Sequence, residues 1–198
     1  MSDRFDYFPI AFDTETTGTS PLLHQVIQVG AIFCDKNLNV IEECKWNINY
    51  NEDLFDWDPE AERFHKIPLE VAKKHGIEFE EFVVEFEEKL KEHYGDSSSK
   101  EKRLIGANEH FDYYMCDTLW KVADLENKSI PVSFVIMDTN AIGAFAFGCD
   151  TNQKNAEFFG IKTDKNQLHD ALYDAKLHLE IFRNQCVALD GLIESLAA

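Results

Sequence analysis

The sequence predicts an α/β fold, a mixed five-stranded sheet flanked by helices. Three observations carry this reading. The first 48 residues hold three short β-type runs separated by turn residues. The apolar spacing then switches to a helical period beyond Pro68. The rest of the chain alternates short strands with longer helical stretches, which is the pattern of layered α/β domains.

Each element has its own warrant. Residues 7–12 form a short apolar run that delivers Asp13 at its end, and residues 25–34 are rich in Val and Ile. Asp35-Lys36-Asn37-Leu38-Asn39 is turn chemistry, and residues 40–48 alternate as a third strand. These three strands read as an antiparallel meander. Pro68 suits the first turn of a helix over 68–75, with Gly76 as its stop. Phe79, Phe82, Val83, Phe86 and Leu90 make one apolar helical stripe, which Gly95 and the serines 97–99 end. Residues 104–107 form a short strand that delivers Asn108. A helix over 111–125 and a fifth strand over 133–138 follow. Helices over 139–147, 152–159 and 170–189 complete the chain, the last with Leu172, Ala175, Leu179 and Phe182 on one face. No internal repeat or long linker divides the chain, so residues 1–198 read as a single domain.

Composition excludes several classes. The 198 residues are 44% hydrophobic and 28% charged, which is globular rather than disordered. No apolar run reaches the roughly 18 residues that span a bilayer, and no secretory leader is visible, so no membrane association is expected. Five scattered cysteines, none in a Cys-x-x-Cys pair, suit reduced thiols in a cytoplasmic compartment rather than a zinc site. The formal net charge is −18, and between Glu42 and Glu101 there are 18 acidic residues against 8 basic ones. Such a chain lacks the basic face of a duplex-DNA binder. A nucleic-acid ligand would be short or single-stranded and gripped near its end, with bound metal offsetting local repulsion. The plainer reading of the acidic segment is a solvated face far from any site.

Three acidic clusters carry the chemistry. Asp13 and Glu15 stand two apart at a strand end, on one face, where paired carboxylates repel unless a cation lies between them. Hard ions such as magnesium or manganese suit these oxygen ligands. The plainer reading is two exposed acids in a turn. Thr16-Thr17-Gly18 follows them, and a glycine turn lets backbone N–H groups approach a phosphate or a terminal hydroxyl. In the second cluster, Asp112 follows Phe111 at a helix start, where it also complements the helix dipole. Asn108 before them reads equally as an N-cap. In the third, His169 precedes Asp174 by five residues. A loop histidine beside fixed carboxylates can take a proton from water; a surface histidine is the bland alternative. His24, His65, His75, His93, His110 and His178 have no companion pattern and read as surface or helix residues.

In order and spacing these clusters resemble the DEDDh (DnaQ-like) 3′–5′ exonuclease family of the RNase H-like fold. The matching motifs are Asp-x-Glu-Thr-Thr-Gly at 13–18, Asn-x-x-Phe-Asp at 108–112 and His-x4-Asp at 169–174. The strand around Val26 to Ala31, the helical insertion with His75-Gly76-Ile77, Asp138-Thr139 and Phe158-Phe159-Gly160-Ile161 extend the likeness over residues 8–182. The resemblance implies two divalent cations, Mg²⁺ or Mn²⁺, held by Asp13, Glu15, Asp112 and Asp174, with His169 as general base. It implies release of nucleoside 5′-monophosphates from single-stranded DNA or RNA 3′ ends. Thr16, Thr17, Gly18, Asn108 and Phe111 would then bind substrate. One departure stands out: Thr19 follows Gly18 where many members carry Leu or Met against the terminal base, which leaves Phe111 or Tyr113 to stack instead. Family members often dimerise, so a homodimer fits the resemblance. A polymerase partner fits less well, because only a short stretch follows Phe182. The alternative reading is an inactive adaptor of the same fold that binds a protein partner.

Overall fold

The computed structural model describes residues 3–123 and 129–197. Its sheet has five strands: β1 (Phe8–Thr16), β2 (Val26–Cys34), β3 (Val40–Asn47), β4 (Lys102–Gly106) and β5 (Ser133–Asp138), in the order β3-β2-β1-β4-β5. β1 pairs antiparallel with β2, and β2 with β3; β1–β4 and β4–β5 are parallel. This is the helix-flanked mixed sheet that the sequence predicts.

The helices are α1 (Pro59–His65), α2 (Leu69–Ala72), α3 (Phe79–Tyr94), α4 (Glu109–Val122), α5 (Thr139–Phe147), α6 (Asn152–Phe159) and α7 (Ala171–Ala197). One face of the sheet carries an aromatic core, in which Phe12 and Phe33 of the sheet meet Phe82 and Phe86 of α3 and Trp120 of α4. The other face is lined by smaller residues. Ala11, Ile32 and Ile105 receive Ala175, Leu179 and Phe182 of α7. β2 is covered on both faces, so it is buried along its whole length. Because side chains alternate along β1, Asp13 and Glu15 share with Ala11 the face beneath α7.

The structure differs from the sequence reading in five places. β1 runs on to Thr16, so both acids lie within the strand rather than beyond it. α1 was not expected; Asp58 caps it by accepting from the Glu60 N–H, and Pro59 opens it. The helix expected over 68–75 shrinks to the single turn α2, because Tyr50 N–H takes the Ala72 carbonyl (2.8 Å) that a longer helix needs. Ser99–Glu101 forms a 3-10 turn with a capping box from Ser98 and Glu101. α7 continues to Ala197, past the expected end at Leu189. The end expected for α4, at Leu125, lies outside the described residues. The five cysteines are free. Among the described residues no helix is long and apolar enough to cross a membrane.

Candidate active site

The first carboxylates come from β1 and the last from α7, and a glycine lets the two elements meet. Gly30 of β2 is the cross-strand partner of Asp13. A Cβ on Gly30 would stand 2.2 Å from the Ala171 carbonyl oxygen. The bare backbone therefore lets the start of α7 press onto β2. Gln28, two residues earlier, accepts from the Ala171 N–H (2.9 Å) and is itself anchored to Asn47 Oδ1 (2.9 Å). The result sets Asp174 against Glu15. One ligand atom each from Glu15, His169 and Asp174 lie within 4.8 Å of one another.

Asp112 arrives from the first turn of α4. Thr14, which points away from α7, donates to Asp112 Oδ1 through both its N–H (2.9 Å) and its hydroxyl (2.6 Å). The strand that carries Asp13 and Glu15 thus also orients Asp112. His169 sits in the loop before α7 in a left-handed backbone conformation (φ 67°). Its N–H donates to Asp174 Oδ2 (2.8 Å), while its ring is exposed and meets the ring of Phe64 edge-on at 6.2 Å. A cavity of about 470 Å³ opens beside His169 and Asp174, with Leu168, Ile161 and Leu177 in its wall.

The residues expected to bind substrate also have structural settings of their own within the fold. Thr17 is buried and fully engaged: its N–H donates to Gln25 O, its hydroxyl donates to Asp56 O, and its carbonyl accepts from Asp58 N–H. Thr16 donates to Gly18 O (2.8 Å). A Cβ on Gly18 would stand 2.4 Å from the His24 ring, so that glycine is there for close packing. Asn108 caps α4 through a left-handed backbone (φ 60°), and its side chain makes no cap hydrogen bond. Phe111 is half-buried against the aromatic core.

Electrostatics make the cluster unstable on its own. Burial raises Asp13 well above the carboxylate range, and Asp112, Glu15 and Asp174 raise it further. Glu15 is pushed up to about 8 by burial and then by Asp174 and Asp112. Burial lifts Asp112 to about 7 against the opposing hydrogen bonds from Thr14. Asp174 is raised by burial against the His169 N–H. Four crowded carboxyl groups that resist ionising together are a fitting donor set for hard divalent cations. Nothing in the sequence pointed to a role for His178, which is 1% exposed rather than a surface residue. Its burial lowers its pKa to about 4, so the imidazole is neutral. Thr14 and Gln28 were missed as well. Gly30 did carry a signal, since a lone glycine in an apolar strand marks a close backbone approach.

The family model described as Exonuclease, RNase_T, matches residues 10–182. The chain belongs to this exonuclease family. The match spans all three acidic clusters. Among relatives, Ribonuclease T of Photobacterium profundum is 26% identical, covering 92% of this chain and 83% of that protein. Ribonuclease T of Buchnera aphidicola subsp. Schizaphis graminum is also 26% identical, covering 92% and 84%. In fold, the exonuclease resembles E. coli Exonuclease I in complex with a dT13 oligonucleotide, with a TM-score of 0.69 at 17% identity. A zinc-bound form of the E. coli Exonuclease I complex with single-stranded DNA gives 0.70 at 16%. The alignments cover 94% and 97% of this chain but only 43% of the Exonuclease I chain.

The exonuclease carries a fifth acid, Glu109, that the sequence reading did not single out. It is 0% exposed, and neither carboxyl oxygen has a hydrogen-bond partner. Burial, then Asp112 and Asp138, raises it well above the usual range. A raised folded pKa means that the folded protein holds a proton the unfolded chain releases, so stability falls as pH rises above the unfolded value near ~4.3. Glu109→Gln removes that dependence. In EDTA the variant is expected to match wild type near pH 4 in urea denaturation and to exceed it by about 1–3 kcal/mol at pH 8. An equal stability difference at both values would contradict this.

Proposed function

We propose that this exonuclease removes nucleoside 5′-monophosphates from single-stranded DNA or RNA 3′ ends by divalent-metal-dependent hydrolysis. The observation that carries the reading is the convergence of Glu15 and Asp174 with the exposed, tethered His169, while Asp13 and Asp112 lie close enough to share in the burial and charge crowding that raise Asp13 and Glu15. Asp13, Glu15 and Asp174 would hold one cation, and Asp13 with Asp112 the second. When bound, such ions lower the pKa of water and offset charge on the attacking and leaving oxygens.

The chain's own groups do the rest. Thr14 holds Asp112 in place. The His169 ring takes the proton of the attacking water, while the backbone N–H of His169 stays anchored on Asp174. The water oxygen bonds to phosphorus, and the bond from phosphorus to the 3′ oxygen of the penultimate nucleotide breaks. That oxygen leaves with a proton from solvent, as the new 3′ hydroxyl. A single strand fits better than a duplex, because a second strand would bring more phosphate against a net charge of −18. The exposed Phe64 beside His169 offers a ring on which any base can stack. The Ribonuclease T relatives point towards RNA, and the Exonuclease I structures with oligonucleotides towards single-stranded DNA.

The test is digestion of end-labelled single-stranded DNA, RNA and dinucleotides in Mg²⁺ or Mn²⁺. Release of mononucleotides from at least one substrate is expected, and no release from any would end the reading. His169→Ala is expected to lower the single-turnover rate by about 10²–10⁴-fold. A variant within a few-fold of wild type would remove His169 from the role of base.

A further inference from the structure

His178 lies on α7 one turn beyond Asp174, so the two side chains share a face. Its Nδ1 is 3.2 Å from the Phe12 carbonyl oxygen, and its Nε2 is 2.9 Å from Asn152 Nδ2. A carbonyl only accepts, so the ring proton is on Nδ1. The Asn152 amide then donates to the bare Nε2. That orientation leaves Asn152 Oδ1 buried without a partner; turning the amide would demand protons on both ring nitrogens, a charge that burial of the ring disfavours. The tautomer follows from this network.

The Phe12 carbonyl needs such a donor. The ladder between β1 and β4 ends at Ala11 and Ile105, one residue earlier. Phe12 O lies over Gly106, where a Cβ would stand 3.0 Å from it, at the point where β4 turns away. Phe12 C=O and Asp13 N–H belong to one rigid peptide plane. Fixing that carbonyl fixes the base from which the Asp13 side chain projects. Asp13 Oδ1 is 4.0 Å from His178 Nδ1, beyond hydrogen-bond reach, so both carboxyl oxygens stay free for other partners. A lysine or arginine here would place a permanent positive charge among the carboxylates and compete with cations; a neutral imidazole does not.

We infer that His178 is a positioning residue for Asp13, its single ring proton held on Nδ1 by Asn152 so that it pins the Phe12 carbonyl and sets where the Asp13 carboxylate lies. This rests on the nuclease reading for the use of Asp13, and the test separates the two. Mn²⁺ affinity, read by thermal shift and calorimetry on the full chain, is compared with kcat and KM on a labelled oligonucleotide. His178→Leu is expected to weaken Mn²⁺ binding and lower kcat by about 10- to 100-fold each, with KM for the oligonucleotide little changed. His178→Gln can donate to Phe12 O and accept from Asn152, and is expected to restore most of both. Asn152→Leu keeps the ring but frees its tautomer, and is expected to give a smaller loss of the same kind. It serves as the decisive variant should His178→Leu fail to fold. Wild-type Mn²⁺ affinity in His178→Leu, or in Asn152→Leu where His178→Leu does not fold, overturns the inference. So does a folded His178→Gln that recovers nothing. A wild-type protein that binds Mn²⁺ but digests no oligonucleotide sinks the nuclease reading instead, and leaves the affinity comparison standing as the measure of positioning.

Discussion

Gly30→Ala is expected to abolish most nuclease activity, and Gly30→Val to do so while lowering stability further. The added Cβ would stand 2.2 Å from Ala171 O, 2.3 Å from Ala171 C and 2.4 Å from Leu172 N. All three are backbone atoms, so no rotamer change relieves the clash. Ordinary contact begins at 3.4 Å, and α7 must therefore retreat by about 1 Å or more, in a core that resists overpacking at a cost of about 1–3 kcal/mol. The retreating segment carries Asp174 and adjoins His169, whereas Asp13 and Glu15 stay on β1. A misplacement of about 1 Å between reacting groups costs on the order of 10²-fold in rate. Thermal melts and single-turnover digests of the two variants check this. A Gly30→Ala enzyme with wild-type rate would show that α7 does not set the site geometry.

That dependence on packing explains what could be read from the chain alone. The strands were legible because their residues are β-branched and bounded by turn chemistry, and α3 because its stripe is buried as one face. The carboxylates were legible because motif spacing preserves them within single elements. Helix α1 escaped notice because Ala61 and Phe64 are its only apolar residues besides Pro59, although Asp58-Pro59 is a start signal. α2 was drawn too long because the hydrogen bond that ends it comes from Tyr50, about twenty residues away. Thr14, Gln28 and His178 have roles that exist only once β1, β2, α4 and α7 are assembled. No local pattern announces a partner 98 or 166 residues distant.

Charge crowding leads to the other large effect. In EDTA the protein is expected to lose stability as pH rises from about 4 to 8, the reverse of the usual carboxylate behaviour. The sign follows from the folded values, with Glu15 at about 8, Asp112 at about 7 and Asp13 raised well above its ordinary range. The unfolded chain releases these protons near pH ~4. Between the two ranges the folded state binds more protons, so each rise in pH favours unfolding. Mn²⁺ is expected to reverse the slope, by binding the deprotonated carboxylates of the folded state. At about 100 times its dissociation constant it adds ~2.7 kcal/mol, or roughly 5–11 °C in Tm for a chain of this size. The shift should be largest at pH 8 and small at pH 5, where the ion must displace protons. Asp13→Asn separates charge from architecture. With one carboxylate removed from the crowd, the variant should melt above wild type in EDTA at pH 8, yet lose most of the Mn²⁺ shift and nearly all nuclease activity. If wild type instead gains stability from pH 5 to 8 without metal, or if Mn²⁺ raises Tm equally in Asp13→Asn, then the four carboxyls do not share one field. The site would need a different account of what holds the ions.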